Sequence, residues 1–131
     1  MARHKVSANR PWERIVGYSR AVRAGSTVEV SGTAPADADG NILHPGDAYL
    51  QAKAALAIIG DALREAGAAF EDVVRTRVLL KRIEDWEEAG RAHGEVFSEI
   101  RPANTTMAVA GFIDEEILVE IEVSAIVGDR T

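Results

Sequence analysis

The stretch that most constrains this chain is its last apolar run, ILVEIEVSAIV, residues 117–127. Apolar residues at every second position describe a β-strand with one buried face, because successive side chains of a strand point to opposite sides. Ile117, Val119, Ile121, Val123, Ala125 and Val127 form the set expected to face packed helices; Leu118, Glu120, Glu122, Ser124 and Ile126 point the other way. That second set mixes carboxylates with apolar groups. Carboxylates on a strand are costly unless solvated or paired. Arg75 and Arg77, on one face of DVVRTRVLLKRI (residues 72–83), are the expected partners of Glu120 and Glu122 in a cross-sheet ion-pair network. A face that is part charged and part apolar is also what subunit contact requires.

The other elements follow from turn chemistry and periodicity. GYSRAVRAGSTVEVSGTAP (17–35) reads as two short strands joined at Ala24-Gly25-Ser26, after an N-terminal arm expected to be mobile. ADADGNILHPGD (36–47) is a loop by composition and ends at Asp47, a natural helix N-cap. From Ala48 to about Ala66, Ala52, Leu56, Ile59 and Leu63 recur at helical spacing, and Gly67 ends the helix. The β-branched stretch 72–83 is a strand, expected to be central. Asp85 is expected to cap a second helix whose apolar line runs through Trp86, Ala89, His93, Val96 or Phe97, and Ile100, until Pro102 forbids continuation. TTMAVAGF (105–112) and the final strand, separated by the acidic turn IDEE, close the chain. The predicted fold class is α+β, a mixed sheet with two helices packed on one face. Its other face wants a partner.

Length and charge exclude several functions. At 131 residues the chain has room for one domain, 1–131. It has no Cys, which removes disulfides, thiolate nucleophiles and thiolate metal sites. A formal net charge of −6 opposes binding to a phosphate backbone, so no nucleic-acid partner is expected and a small-molecule substrate is. No apolar signal segment and no membrane-length apolar window is present, which predicts a cytoplasmic protein without a membrane partner.

Motif by motif, most chemistries fall away. His4, His44 and His93 lack metal-ligand spacing, so no metal site is expected, and His93 on an apolar helix line reads as a hydrogen-bonded core or interface residue. The glycines of GYSRAVRAG are wrongly spaced for a phosphate loop. Ser31, in VSGTAP, lies on a strand without a nearby base, which makes it a hydrogen-bond donor rather than a nucleophile. Glu120 and Glu122 remain, either as an ion-paired strand face or as catalytic carboxylates in the company of Tyr18 and the arginines.

Taken together, GYSRAVRAGSTVEVSGTAP, the segment AKAALAIIGDALREAGAAFEDVVRTRVLL and the ending RPANTTMAV…LVEIEVSAIV resemble the YjgF/Rid family, the reactive-intermediate deaminases once labelled L-PSP endoribonucleases, from about Trp12 to Val127. The resemblance implies a chorismate-mutase-like fold and a homotrimer whose sheets enclose a central barrel. It implies hydrolysis of small enamines or imines to carbonyl compounds and ammonia, in clefts between subunits and with no cofactor. Residue by residue it implies Glu120 as the catalytic group that positions the attacking water, and Tyr18, Ser31, Gly32, Asn104 and Thr105 as substrate-binding residues. One departure matters. Active family members carry an arginine directly after PA to clamp a substrate carboxylate, and this chain has Asn104 there, which implies an altered substrate range. The family's asparagine in the second helix falls on Gly90. Arg20 and Arg101 are the cations available as substitutes, although Arg101 serves equally to cap the preceding helix. The alternative to the enzyme is a non-catalytic trimer that binds a small ligand, and the acidic balance opposes the nuclease of the older label.

Overall fold

In the computed structural model, which describes residues 2–128, the chain forms β1 (Arg3–Val6), α1 (Pro11–Val16), β2 (Ala21–Ala24), β3 (Thr27–Thr33), α2 (Ala48–Glu65), β4 (Val73–Leu80), α3 (Trp86–Phe97), β5 (Ala103–Ala108) and β6 (Val119–Ile126). Single 3-10 turns, Phe70–Asp72 and Ile83–Asp85, lead into β4 and α3. The six strands make one sheet in the order β1-β2-β3-β6-β4-β5. Only β4 and β5 pair in parallel, joined by the α3 crossover. Both long helices cover one face of this mixed α+β sheet.

The alternation along β6 is realised: Ile117, Val119, Ile121, Val123 and Ala125 are buried, while Glu120, Glu122 and Ser124 are half-buried on the open face. Against the buried face α2 presents Ala52, Ala55, Leu56, Ile59, Ala62 and Leu63. Alanines at three of these positions bring the helix backbone close to the sheet, so the valines of β3 and β6 fill the space between. Asp47 caps α2, accepting from the Leu50 N–H at 2.9 Å. At the other end Gly67 adopts φ +78°, and the Ala68 and Gly67 N–H groups return to Leu63 and Arg64 oxygens at 2.8 and 3.0 Å, closing the helix in a Schellman turn. Gln51 is fully buried and fully engaged: it donates to the Glu116 oxygen at 2.8 Å and accepts from Leu118 N–H at 2.8 Å, which pins the start of β6 to α2.

Four expectations are corrected. The N-terminal arm pairs as β1 with β2, His4 opposite Arg23, and then forms α1. Asp85 precedes α3 but caps nothing with its side chain, because its carboxylate accepts from Arg82 at 3.1 Å instead. Trp86 is 55% exposed, off the buried line of Ala89, Ala92 and Phe97. The helix ends at Phe97, and Arg101, at φ +56°, closes it with a backbone N–H to the Phe97 oxygen at 2.8 Å.

Candidate functional site

The register of β3 against β6 breaks at one place. Val30 pairs with Val123 and Thr33 with Ile121, so three steps on β3 oppose two on β6, and the extra residue lies at Ser31-Gly32. A bulge of this kind bends the strand and turns its side chains out of the pleat. Burial follows it, since Val28 and Val30 are buried but the next core residue is Thr33. The bulge lies beside Glu120. A Cβ on Gly32 would stand 3.1 Å from Glu120 Oε1, so glycine leaves the carboxylate its room.

A cavity of about 320 Å3 opens here, and Tyr18, Arg20, Ser31, Gly32 and Glu120 share its wall. Apolar cover comes from Trp12, Val16, Ala34, Ala36 and Ile113. The N-terminal segment holds one side of it. Pro11 opens α1 and Gly17, at φ +83°, ends it, a start and stop pattern already written in RPWERIVG. Arg10 ties the segment down through Nε and Nη2 to the Ala36 oxygen, at 3.0 and 2.8 Å, and through Nη1 to the Ala8 oxygen. Glu13 accepts from the Ser7 hydroxyl at 2.9 Å and from the Ala8 N–H. Reading the sequence as a mobile arm missed Arg10, Trp12 and Val16; the proline and glycine that bracket α1 were the available signal.

The polar groups differ in how committed they are. Ser31 donates its hydroxyl to the Ser19 oxygen at 2.7 Å, which leaves it no nucleophilic role. Arg20 is 6% exposed and gives Nη1 to the Gly32 oxygen at 3.0 Å and to Thr33 Oγ1 at 3.1 Å, while its buried Nε has no hydrogen-bond partner among the described residues. Its guanidinium carbon lies 5.7 Å from the Tyr18 ring centre. Among the described residues, Glu120 makes no hydrogen bond or ion pair. Loss of hydration raises its pKa above the ordinary 4.5, nearby Glu122 adds to the rise, and Arg20 opposes it. The expected ion-pair network is smaller than its prediction: Arg77 pairs with Glu122 at 3.4 Å, and Arg75 donates instead to Thr105 Oγ1 at 3.1 Å.

Asn104 and Thr105 lie elsewhere, on the edge strand β5. Asn104 stands opposite fully buried Thr76 on the helix-covered face, and Thr105 stands opposite Arg77 on the open face with Glu120 and Glu122. Asn104 Nδ2 donates to Thr76 Oγ1 at 2.9 Å, and Thr106 Oγ1 donates to Asn104 Oδ1 at 3.0 Å. His93 Nε2 meets the same Thr76 oxygen at 2.8 Å, and burial lowers the pKa of the imidazole. With Asn104 donating to it, the Thr76 hydroxyl has its own proton to give to the neutral ring. The structure thus brings Tyr18, Ser31, Gly32 and Glu120 together within the single chain and does not bring Asn104 or Thr105 to them. Gly90 is exposed on α3, and Arg101 lies outside the cavity wall. Among the described residues no group of three His, Cys, Asp or Glu is placed to hold a metal, and no helix is long and apolar enough to cross a membrane.

Comparison with known proteins bears on this cavity. The model of the family Endoribonuclease L-PSP matches residues 8–127. The chain is 33% identical over 129 residues to the 2-iminobutanoate/2-iminopropanoate deaminase of Rattus norvegicus, covering 98% of this chain and 93% of that one. It is 33% identical over 104 residues to the 3-aminoacrylate deaminase RutC of Acinetobacter baylyi, covering 79% and 82%. The crystal structure of a YjgF/YER057c/UK114 family member from Mycobacterium tuberculosis superimposes with a TM-score of 0.86 at 40% identity, over 96% of this chain and 100% of that one. The architecture is the chorismate-mutase-like fold of these neighbours.

Proposed function

The chain belongs to the L-PSP endoribonuclease family, the YjgF/Rid proteins, and on that premise we propose that it hydrolyses a small reactive imine, or an enamine once tautomerised to one, to a carbonyl compound and ammonia. The observation that carries this is Glu120: a carboxylate without a hydrogen-bond or ion-pair partner among the described residues, its pKa lifted by burial, in a cavity shared with Tyr18 and Gly32. The similarity to two deaminases of imines and enamines supports the same chemistry.

An imine carbon is already electrophilic, so the protein needs to orient water and move protons. Water adds to the carbon; Glu120 takes a proton as the C–O bond forms and hands it to nitrogen, leaving a carbinolamine. The same carboxylate then removes the hydroxyl proton and returns it to nitrogen as the C–N bond breaks. One water is consumed, one ammonia leaves, and the carbonyl remains. A base whose pKa lies closer to the working pH performs both halves better than an ordinary exposed glutamate. Tyr18 borders the reacting group, Ser31 holds the bulge in place, and Gly32 keeps the carboxylate uncrowded.

The proposed working unit is a cytoplasmic homotrimer. Within one protomer Asn104 lies on the opposite face of the sheet from Glu120, and Thr105, on the same face, lies two strands away; in this reading a second copy carries Asn104 and Thr105 to the mouth of the cavity. Asn104 in place of an arginine shifts the substrate range. The alternative, a trimer that binds a small ligand without turning it over, draws on one observation: both ends of the Asn104 amide are already used within the chain. The rate at which a 2-keto acid appears from an imine generated in situ, compared between the protein and Glu120→Gln, separates the two. Acceleration lost in the variant supports the deaminase. A melting shift with ligand and no acceleration supports the binding trimer.

A further inference from the structure

Arg20 is the anomaly that the proposed chemistry leaves unused. It is a guanidinium in a residue only 6% exposed, on the wall of the cavity, with its Nε unpartnered. Buried cations are normally paired with a carboxylate. Among the described residues Arg20 forms no ion pair; its bonds go to the neutral Gly32 oxygen and Thr33 hydroxyl, which fix its position without neutralising it. The other arginine on the wall, Arg10, is spent on the Ala8 and Ala36 carbonyls and adds like charge. Glu120 shares the cavity and its charge attracts that of Arg20, but among the described residues no hydrogen bond or ion pair joins the two. The site therefore holds a fixed, desolvated positive charge beside an apolar wall of Trp12, Val16 and Ile113.

We infer that Arg20 is the anion-recognition residue of this cavity and selects small monocarboxylates, whose charge it neutralises while their apolar part lies against Trp12, Val16 and Ile113. The inference rests on the reading of this cavity as the ligand site, and it assigns to Arg20 of the same protomer a task that the neutral amide of Asn104 does not perform. Charge-assisted pairing with a carboxylate suits a guanidinium whose position is already set, since little further ordering is lost on binding.

The test is binding of 2-oxobutanoate, a monocarboxylate that cannot itself be deaminated, against its uncharged methyl ester, by calorimetry on the whole protein. The wild type should prefer the acid by roughly 10- to 100-fold, the range of a charge-assisted hydrogen bond. Arg20→Gln should lose that preference, and Arg20→Lys should keep part of it. If Arg20→Gln does not fold, the Nε–H resonance of Arg20 in 15N-labelled wild type decides, and it should shift with the acid and not with the ester. Equal affinity for acid and ester, no binding of either, a preference that persists in folded Arg20→Gln, or an unmoved resonance each overturns the inference. Because the readout is binding, acid preference without imine turnover would retain Arg20 and reject the deaminase. Turnover without acid preference would do the reverse.

Discussion

At the scale of single residues, the carboxylate of Glu120 ties the proposed chemistry to measurable pH behaviour. Its folded pKa is raised by lost hydration, so the native state holds that proton more tightly than the unfolded chain does. Stability from this group is therefore greatest below the ordinary value of 4.5 and falls as pH rises through the folded pKa, leaving a fixed cost at neutral pH. Glu120→Gln removes the cost: its melting temperature should exceed that of the wild type at pH 7, and the gain should vanish near pH 4, as scanning calorimetry at the two values would show. Catalysis should move oppositely, with Glu120→Gln losing about 10²- to 10⁴-fold in kcat, the usual worth of a positioned acid-base group. Thr76 supports a different prediction. It bonds both His93 and Asn104, so Thr76→Val orphans two polar groups at once and should cost about 1–3 kcal/mol by chemical denaturation. His93 is half-buried and hydrogen-bonded, within the core-or-interface reading of its helix line, but its partner on β4 was not legible, because the pairing of α3 with β4 is a long-range contact.

At the scale of elements, β3 shows where periodicity stops being informative. VEVSG alternates cleanly to Val30, and the strand-interior Gly32 hints at an extra residue, but the bulge is located only when β3 is laid against β6. Gly32→Ala adds a methyl 3.1 Å from Glu120 Oε1. It should lower kcat by roughly tenfold or more through displacement of the carboxylate while leaving the melting temperature nearly unchanged; a loss of stability matching the loss of activity would contradict this. Gly67 predicts the reverse balance. An alanine there meets both φ +78° and the Arg23 Nη1 at 2.7 Å, so Gly67→Ala should destabilise by about 1–2 kcal/mol without altering the cavity at the far end of the sheet. The α1 segment carries a similar lesson: Pro11 and Gly17 announce a helix, but six residues are too few to stand out by apolar spacing.

At the scale of the whole molecule, the sheet is covered on one side only. Glu29, Arg75, Arg77, Glu122 and Ser124 line a polar hollow on the open face, and Leu79 of β4 stands between Glu120 of β6 and Met107 of β5. If this face is the trimer contact, Met107→Asp places a charge in it and should turn a species of three chain masses into a monomer by light scattering, with loss of turnover. A variant that stays trimeric would mean that the subunits meet on a different surface.

What the sequence by itself determined is local: the alternation that makes β6 one-sided, the cap and stop of α2, the absence of thiols, and the family written in the hairpin and the last two strands. Each is set by neighbours a few residues apart, where backbone geometry alone relates them. The tertiary structure decided the rest. That Glu120 lacks a bonded partner among the described residues while Arg77 takes Glu122, that Arg20 is buried there without an ion pair, and that Asn104 turns to Thr76 and away from Glu120 all depend on register and on which face each strand presents. Burial and strand register come from the packing of segments far apart in the chain, and they set both the pKa of Glu120 and the charge of the cavity that it shares.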